Sequence, residues 1–300
     1  MQRNEQFDAI IIGGSYAGMA AAMSLGRAIR KVLVIDGGEP CNQQTPHSHN
    51  FLTQDGSTPA YITTIAKQQV LAYPTVRFLI GNVCSVWGND GHFLVETTNG
   101  ECFEAKKLLF ATGIRDLMPM IKGFTDCWGI SVIHCPYCHG YEYRGENTGL
   151  LMNGDMVLEK VKLISQWTKR VTVFTNGLVE IPSEHVEILT NLGVQIWDNV
   201  IDYLIHDKGY ISKVVFTDGQ EIPLTTLYAA LPFEQKSELP QNLGCSLRDS
   251  GHLQVDQFQQ TTVSGVFAAG DNATFMRSVA SAVHAGTSAG AFINHALLSE

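Results

Sequence analysis

The sequence predicts an α/β protein of two domains, the second inserted into the first, and three observations carry that expectation. The chain has 300 residues, about twice the usual domain quantum. Between Phe7 and Asp36 a buried strand, a glycine-rich turn, a helix and a second buried strand follow one another. The same plan returns in degenerate form between Asn147 and Thr175.

Composition bounds what such a protein does. Hydrophobic residues at 45% and charged residues at 16% describe an ordinary globular chain. A net charge of −9 with no Lys/Arg run repels phosphate backbones and anionic bilayers, so neither nucleic acid nor a membrane surface is an expected partner. Seven cysteines are an odd, scattered count, which argues against a secreted disulfide framework and for a reducing compartment. The apolar run from Phe7 to Leu25 is broken by Gly13, Gly14, Ser15 and Gly18 and follows an acidic flank, unlike a signal peptide. No stretch reaches the roughly 20 apolar residues of a membrane span. A soluble, cytoplasmic protein is expected.

Phe7-Asp-Ala-Ile-Ile-Ile12 is a continuous apolar strand of the kind buried on both faces of a parallel sheet. Gly13-Gly-Ser-Tyr-Ala-Gly18 is the turn, Met19 to Leu25 the small-residue helix, and Lys31-Val-Leu-Val-Ile-Asp36 the second strand. This is the spacing of a dinucleotide-binding βαβ unit. The tight turn needs Gly13, the helix N-terminus aims backbone N–H groups at a pyrophosphate, Gly18 lets helix and strand approach, and Asp36 can accept from ribose hydroxyls. Ser15 stands where the middle glycine is expected, with Gly14 beside it to compensate.

Lys107 to Gly113 reads as a strand ending in Ala111-Thr112-Gly113, and Ser264 to Asp271 as another ending in Gly270-Asp271. Both place small residues where backbone lies against a ligand, and an alanine-rich helix follows from Arg277 to Phe292. With the N-terminal unit they make a flavin site. The second copy runs from Asn147 through a helix to about Thr168 and a strand from Arg170 to Thr175. The expected architecture is therefore two Rossmann-like domains of FAD/NAD(P)-binding type. Residues 1–116 and 245–300 form a discontinuous FAD-binding domain, and residues 117–244 an inserted NAD(P)-binding-like domain.

The motif that carries chemistry is His134-Cys-Pro-Tyr-Cys-His-Gly140. Cysteines in Cys-x-x-Cys spacing can close a small, exchangeable disulfide, and His139 beside them can hold or shuttle a proton near neutral pH. Three other readings stand beside the redox dithiol. A c-type haem attachment site needs export, for which no signal is present. Zinc needs a second ligand pair, which Cys127 with His134 does not supply in the usual geometry. Two buried structural cysteines are the third. No metal site is expected elsewhere, and the His47/His49 pair lacks further ligands.

Taken in order, Gly13-Gly-Ser-Tyr-Ala-Gly18, Asp36, Ala111-Thr-Gly113, Cys135-Pro-Tyr-Cys138 and Gly265-Val-Phe-Ala-Ala-Gly-Asp271 resemble the low-molecular-weight thioredoxin reductases over nearly the whole chain. The resemblance implies an FAD-dependent pyridine nucleotide-disulfide oxidoreductase and a homodimer. It places the ADP part of FAD on Gly13, Gly14, Ser15, Tyr16, Ala17, Gly18, Asp36 and Gly37, with Val83 at the adenine. Ala111, Thr112 and Gly113 would lie close to the cofactor, Gly270 and Asp271 at the ribityl chain, and Ser278 and Val279 at the flavin pyrimidine edge. Asn42 and His49 join this cofactor set, His49 as a residue lining the flavin. Cys138 resembles the sulfur that faces the flavin and Cys135 the one that exchanges with substrate; His139 stands where the reductases carry their proton-donating acid.

The nicotinamide half departs from that pattern. Met152-Asn-Gly-Asp-Met-Val157 keeps only Gly154 in register, and bulky Met152 and Val157 crowd the pyrophosphate place. No Lys or Arg occurs from Val171 to Asp207 to fork a 2′-phosphate. Tight NADPH binding is not expected. Together with Pro46-His-Ser-His-Asn-Phe-Leu52, Asp55-Gly56 and Cys135 to Glu142, this resembles the branch that includes the gliotoxin and holomycin dithiol oxidases. That branch implies a small dithiol substrate and oxygen as acceptor. The alternative is a thioredoxin reductase proper, acting on a thioredoxin-like protein with NADPH or ferredoxin as donor. A degenerate scaffold is disfavoured, because a pseudoenzyme has no need to retain two sulfurs beside a histidine.

Overall fold

The structure, a computed structural model, describes residues 5–299. The chain divides into two compact units. The first comprises Met1–Gln43, Phe51–Arg115 and Phe233–Glu300; the second comprises Gln44–Asn50 and Asp116–Pro232. The expected limits 1–116 and 245–300 also take in residues 1–4 and 300, which lie outside the described residues.

The first unit opens with β1 (Glu5–Ile12), α1 (Tyr16–Arg27), β2 (Val32–Asp36), α2 (Pro59–Leu71) and β3 (Val76–Ile80). β4 (Val83–Asn89), β5 (His92–Thr97) and β6 (Cys102–Phe110) follow, and β7 (Ile114–Asp116) leads out of the unit. The sheet order is β3-β2-β1-β6-β5-β4. β1 has a parallel neighbour on each side, and its apolar run serves two cores at once. Ala9 and Ile11 pack with α1, while Ile10 and Ile12 pack on the opposite face with Phe93, Phe103 and Leu108. Period-2 alternation with apolar residues on both sides explains why the strand shows no polar face.

In the second unit come α3 (Phe124–Cys127), β8 (Val132–Ile133), α4 (Pro136–His139), β9 (Thr148–Leu151), α5 (Val157–Ile164), β10 (Val171–Phe174), α6 (Ser183–Asn191) and β11 (Gln195–Trp197). β12 (Ile201–Asp207), β13 (Tyr210–Phe216) and β14 (Glu221–Pro223) form an antiparallel ribbon, and β15 (Thr226–Ala229) returns to the parallel sheet, whose order is β11-β10-β9-β15-β8. Helix α5 stops at Ile164, short of the expected Thr168. There the Thr168 hydroxyl donates to the Glu146 carbonyl at 2.9 Å and turns the chain toward β10.

The chain re-enters the first unit through β16 (Phe233–Gln235), α7 (Leu239–Asn242), β17 (Val266–Ala268) and α8 (Val279–Leu298). The return falls at Phe233, ahead of the expected residue 245, because β16 pairs with the outgoing strand β7. β17 pairs with the C-terminal half of β6 while β5 takes its N-terminal half. α8 buries a stripe of small residues, Ala282, Ala285, Gly286, Ala289 and Gly290, continued by Ile293 and Leu297. A Cβ on Gly286 would run into the Ala17 carbonyl and one on Gly290 would lie 2.6 Å from the Ala21 carbonyl, so these glycines set how closely α8 approaches α1. Among the described residues no helix is long and apolar enough to cross a membrane.

Candidate functional site

Strands β1, β2, β6 and β17 run parallel, so Ile12, Asp36, Phe110 and Ala268 all end at one edge of the first unit's sheet. In open α/β sheets that carboxyl edge is where ligands sit. The turns that leave it carry Gly13 to Ser15, Gly37, Ala111 to Gly113, and Gly270 with Asp271. Gly13 adopts φ 103°, and a Cβ there would run into the Ala111 carbonyl, which makes the first and third turns mutually dependent. Asp36 accepts from the Gly14 amide at 2.8 Å, tying the second strand's terminal acid to the glycine turn. Ser15 is the N-cap of α1 yet makes no side-chain cap bond, so the first-turn amides of Tyr16, Ala17 and Gly18 are not consumed by their own cap.

Around this core the remaining expected residues fall as follows. Asn42 donates to the Tyr16 hydroxyl at 3.2 Å. The Gly81 amide donates to the Asp36 carbonyl at 3.0 Å, which brings the chain entering Val83 beside the end of β2, and Gly37 abuts Asn82. Gly113 takes φ 70° in open space. Asp271 lies 3.6 Å from Arg277 Nε and 3.7 Å from Cys41 Sγ. Ser278 caps α8 through its hydroxyl, accepting from the Ser281 amide at 3.1 Å, and Val279 opens that helix. His49 belongs to the second unit, its Nε2 3.5 Å from Glu142 Oε1.

Sequence reasoning missed two residues at this edge. Asn272, fully buried, donates to the Phe110 carbonyl at 2.8 Å and to the Thr112 hydroxyl at 3.4 Å. Gln235 donates to the Gly251 and Asn272 carbonyls at 2.9 and 3.0 Å. Asn272 Oδ1 and Gln235 Oε1 are buried acceptors without a hydrogen-bond partner among the described residues. The place of Asn272 directly after Gly270-Asp271 is a usable signal; Gln235 has none, because only the β7/β16 pairing brings it here.

In the second unit Cys135 and Cys138 form a disulfide with Cα atoms 5.3 Å apart. Pro136 opens α4 in the position where its missing N–H costs nothing, and the amides of Cys138 and His139 both donate to the Cys135 carbonyl at 3.2 Å. A Cβ on Gly140 would meet the Pro136 carbonyl at 2.6 Å and the Trp167 ring at 2.9 Å, so only glycine lets Trp167 close over the turn. Both sulfurs belong to half-buried residues, and Tyr137 between them is exposed with its ring edge-on to Trp167 at 5.8 Å.

Burial, with the charge of His49 adding to it, pushes the half-buried His139 imidazole down to about 4. The native state then binds fewer protons than the unfolded chain between pH 6.5 and about 4. Stability is expected to fall as the pH drops through that window, by about 3 kcal/mol in all from this group. Thermal melting of the native protein against His139→Gln across pH 7 to 4 checks it: the variant's melting temperature should fall less steeply.

The zinc reading of the cysteines meets a specific obstacle. Burial pushes the Cys127 thiol up to about 11, which opposes the thiolate that zinc requires. Among the described residues no three His, Cys, Asp or Glu side chains group to hold a metal ion.

The turn after β9, where the second βαβ copy would meet a dinucleotide, is closed by its own bonds. Asn153 Oδ1 accepts from the Gly154 amide at 3.1 Å and the Glu180 amide at 2.9 Å, and its Nδ2 donates to the Leu178 carbonyl at 2.7 Å. Helix α5 starts only at Val157, with no side-chain cap. After β10, Thr175 donates to the Gly177 carbonyl at 2.7 Å and Asn176 accepts from the Ile201 amide at 2.7 Å.

A family model described as pyridine nucleotide-disulphide oxidoreductase matches residues 7–289. Among named relatives, thioredoxin reductase tcpT of Claviceps purpurea is 31% identical, covering 100% of this chain and 97% of its own. Thioredoxin reductase sirT of Leptosphaeria maculans is 32% identical, with 96% and 93% covered. Among solved structures, an oxidoreductase from Agrobacterium tumefaciens superposes with a TM-score of 0.92 at 37% identity, over 98% of this chain and 99% of that one.

Proposed function

The chain belongs to the pyridine nucleotide-disulphide oxidoreductase family, as an FAD-dependent disulfide oxidoreductase of thioredoxin reductase type, and from that premise we propose that it oxidises a small dithiol without tight binding of NADPH. The observation that carries this reading is the contrast between the two βαβ turns. The first leaves its helix N-terminus and carboxyl-edge turns to a ligand, while in the second the Gly154 amide is taken by Asn153, which also ties the turn to the Glu180 amide of the next loop.

The first unit's residues fit FAD. Its glycine turn and the α1 amides suit the pyrophosphate, Asp36 the ribose, Asp271 the ribityl chain, and the buried acceptors of Asn272 and Gln235 mark polar demand beside that edge. Bound there, FAD supplies a two-electron acceptor for the enzyme dithiol, with oxygen as the final acceptor.

The protein's own residues perform the exchange. One substrate sulfur, as thiolate, attacks Cys135 Sγ; the Cys135–Cys138 bond breaks, a mixed disulfide forms, and the electron pair leaves on Cys138. The second substrate thiol loses its proton to the neutral His139 imidazole and displaces Cys135, releasing oxidised substrate and leaving both enzyme cysteines reduced. A neutral imidazole is the form that can accept, which is the form that burial favours at His139.

The test is anaerobic mixing of the oxidised holoenzyme with dithiothreitol, NADPH or NADH while the flavin band is followed. Rapid bleaching by the dithiol alone, reversed by air with release of hydrogen peroxide, is the expected result. Rapid bleaching by NADPH would make the protein a thioredoxin reductase acting on a thioredoxin-like partner, and bleaching by none would point to a protein donor such as ferredoxin.

A further inference from the structure

Strands β9, β10 and β11 run parallel, so Thr148, Val171 and Gln195 begin at the edge of the second unit's sheet opposite the closed turn after β9. At this amino edge an open pocket of about 310 Å³ lies between the strand starts and the β14 segment. Ile222, Pro223 and Leu224 give it an apolar wall, and Lys169, Arg170, Thr172 and Gln195 supply polar groups. Thr172 and Gln195 are register partners on β10 and β11, so their side chains share one face of the sheet. Trp197, two residues on, stacks on Phe216 at 5.5 Å and donates to Gln195 Oε1 at 3.5 Å, which leaves the Gln195 amide nitrogen to the pocket. Lys169 spends one ammonium N–H on the Ser165 carbonyl at 2.8 Å and keeps two. The Arg170 guanidinium makes no hydrogen bond or ion pair among the described residues.

We propose that this pocket binds a compact organic anion, its phosphate or carboxylate head held by Lys169 and Arg170 and its small apolar body laid against Ile222 and Leu224. The charge pattern is the reason for an anion. Acids outnumber bases 29 to 20 in the chain, yet no carboxylate lines the pocket. The two glutamates that flank its lining in sequence are engaged elsewhere: Glu146 accepts from the Thr225 hydroxyl at 3.2 Å, and Glu221 from Lys213 at 2.7 Å. An arginine fork meets a phosphate or carboxylate with two parallel N–H bonds, and an ammonium adds a point charge beside it. The apolar wall is the reason for an organic body, because inorganic phosphate alone would leave Ile222 and Leu224 wet. A cavity of this size lies at the lower end of those that enclose small ligands. The site is separate from the second βαβ turn, which sits at the carboxyl edge of the same sheet, and every residue that lines it belongs to the second unit.

The experiment is an NMR titration of the flavin-loaded protein with labelled indole nitrogens. The Trp197 signal, identified by its loss in Trp197→Phe, reports on the pocket through Gln195. The probes are phenyl phosphate, phenylacetate, inorganic phosphate and benzyl alcohol. Phenyl phosphate or phenylacetate should shift the signal saturably, with a dissociation constant of about 1 mM for a ligand of this size, and the tighter of the two identifies the head group. Inorganic phosphate lacks the apolar body and benzyl alcohol lacks the charge, so each should bind at least about tenfold more weakly. Arg170→Gln should weaken the better anion at least about tenfold and keep the native melting temperature, since Arg170 is exposed. Absence of a saturable shift with both organic anions overturns the proposal. Native affinity in Arg170→Gln also overturns it, as the anion would then be held elsewhere; should that variant fail to fold, Lys169→Gln takes its place. Benzyl alcohol or inorganic phosphate binding as tightly as the organic anions would reduce the site to an apolar pocket or a bare charge, and either result sinks the assignment.

Discussion

Cys138→Ser is expected to lower turnover of a small dithiol by at least about a thousandfold, because no intramolecular disulfide is left to take the electron pair. Cys135→Ser should be equally inactive but for a different reason, since Cys138 survives while the exchanging sulfur is gone. The two are separable. In Cys135→Ser the remaining thiol should react with iodoacetamide more slowly than Cys135 does in Cys138→Ser, if Cys135 is the sulfur that meets substrate. Both variants should keep full flavin content, as neither residue lies in the first unit. Retention of dithiol turnover by Cys138→Ser would remove the redox pair from the mechanism. The measurement is steady-state oxygen uptake with dithiothreitol, beside flavin absorbance per chain.

Gly18→Ala is the second large effect. A Cβ at this position would collide with the Gly13 carbonyl and press on Ile11 Cγ2 at 3.3 Å. The obstacle is backbone, which cannot rotate aside, and it sits in the turn where α1 leaves β1. A loss of about 2–3 kcal/mol, the scale of overpacking in a rigid core, is expected. Displacing α1 also moves its N-terminal amides, so the purified variant should be largely free of flavin and should melt early even when FAD is added. Normal flavin content with a native melting temperature would show that the turn relaxes and that close approach here is not required. Gly38→Ala is the useful contrast, since Gly38 takes a positive φ of 81° that strains an alanine mildly, yet a Cβ there meets nothing within 4 Å; it should keep its flavin.

Much of the first unit was legible because its chemistry is local. A tight turn after a two-faced buried strand demands glycine at Gly13, a close helix demands it at Gly18, and a strand end beside a ribose demands an acid at Asp36. Each requirement is met within a few residues of where it arises. The dithiol was legible for the same reason, since Cys-x-x-Cys on one turn of helix needs only its own backbone to bring the sulfurs together. The poor second copy was also readable in outline, from Met152 and Val157 in place of glycines. Its cause was not: that Asn153 bonds Gly154, Leu178 and Glu180 depends on how the β10 loop returns to the turn.

The same division holds for His49. The resemblance suggests a place lining the flavin, and the sequence does not show that the fold carries this segment into the second unit, beside Glu142. Gln235 and the early return at Phe233 were invisible because both follow from the pairing of β16 with β7, strands far apart in the chain. The sequence by itself therefore determined the two-unit α/β plan, the intact nucleotide turn and the redox pair, all consequences of backbone geometry over short spans. Only the tertiary structure decided which side chains surround the dithiol and what fills the second turn, because those depend on contacts whose partners the chain brings together only when its sheets have formed.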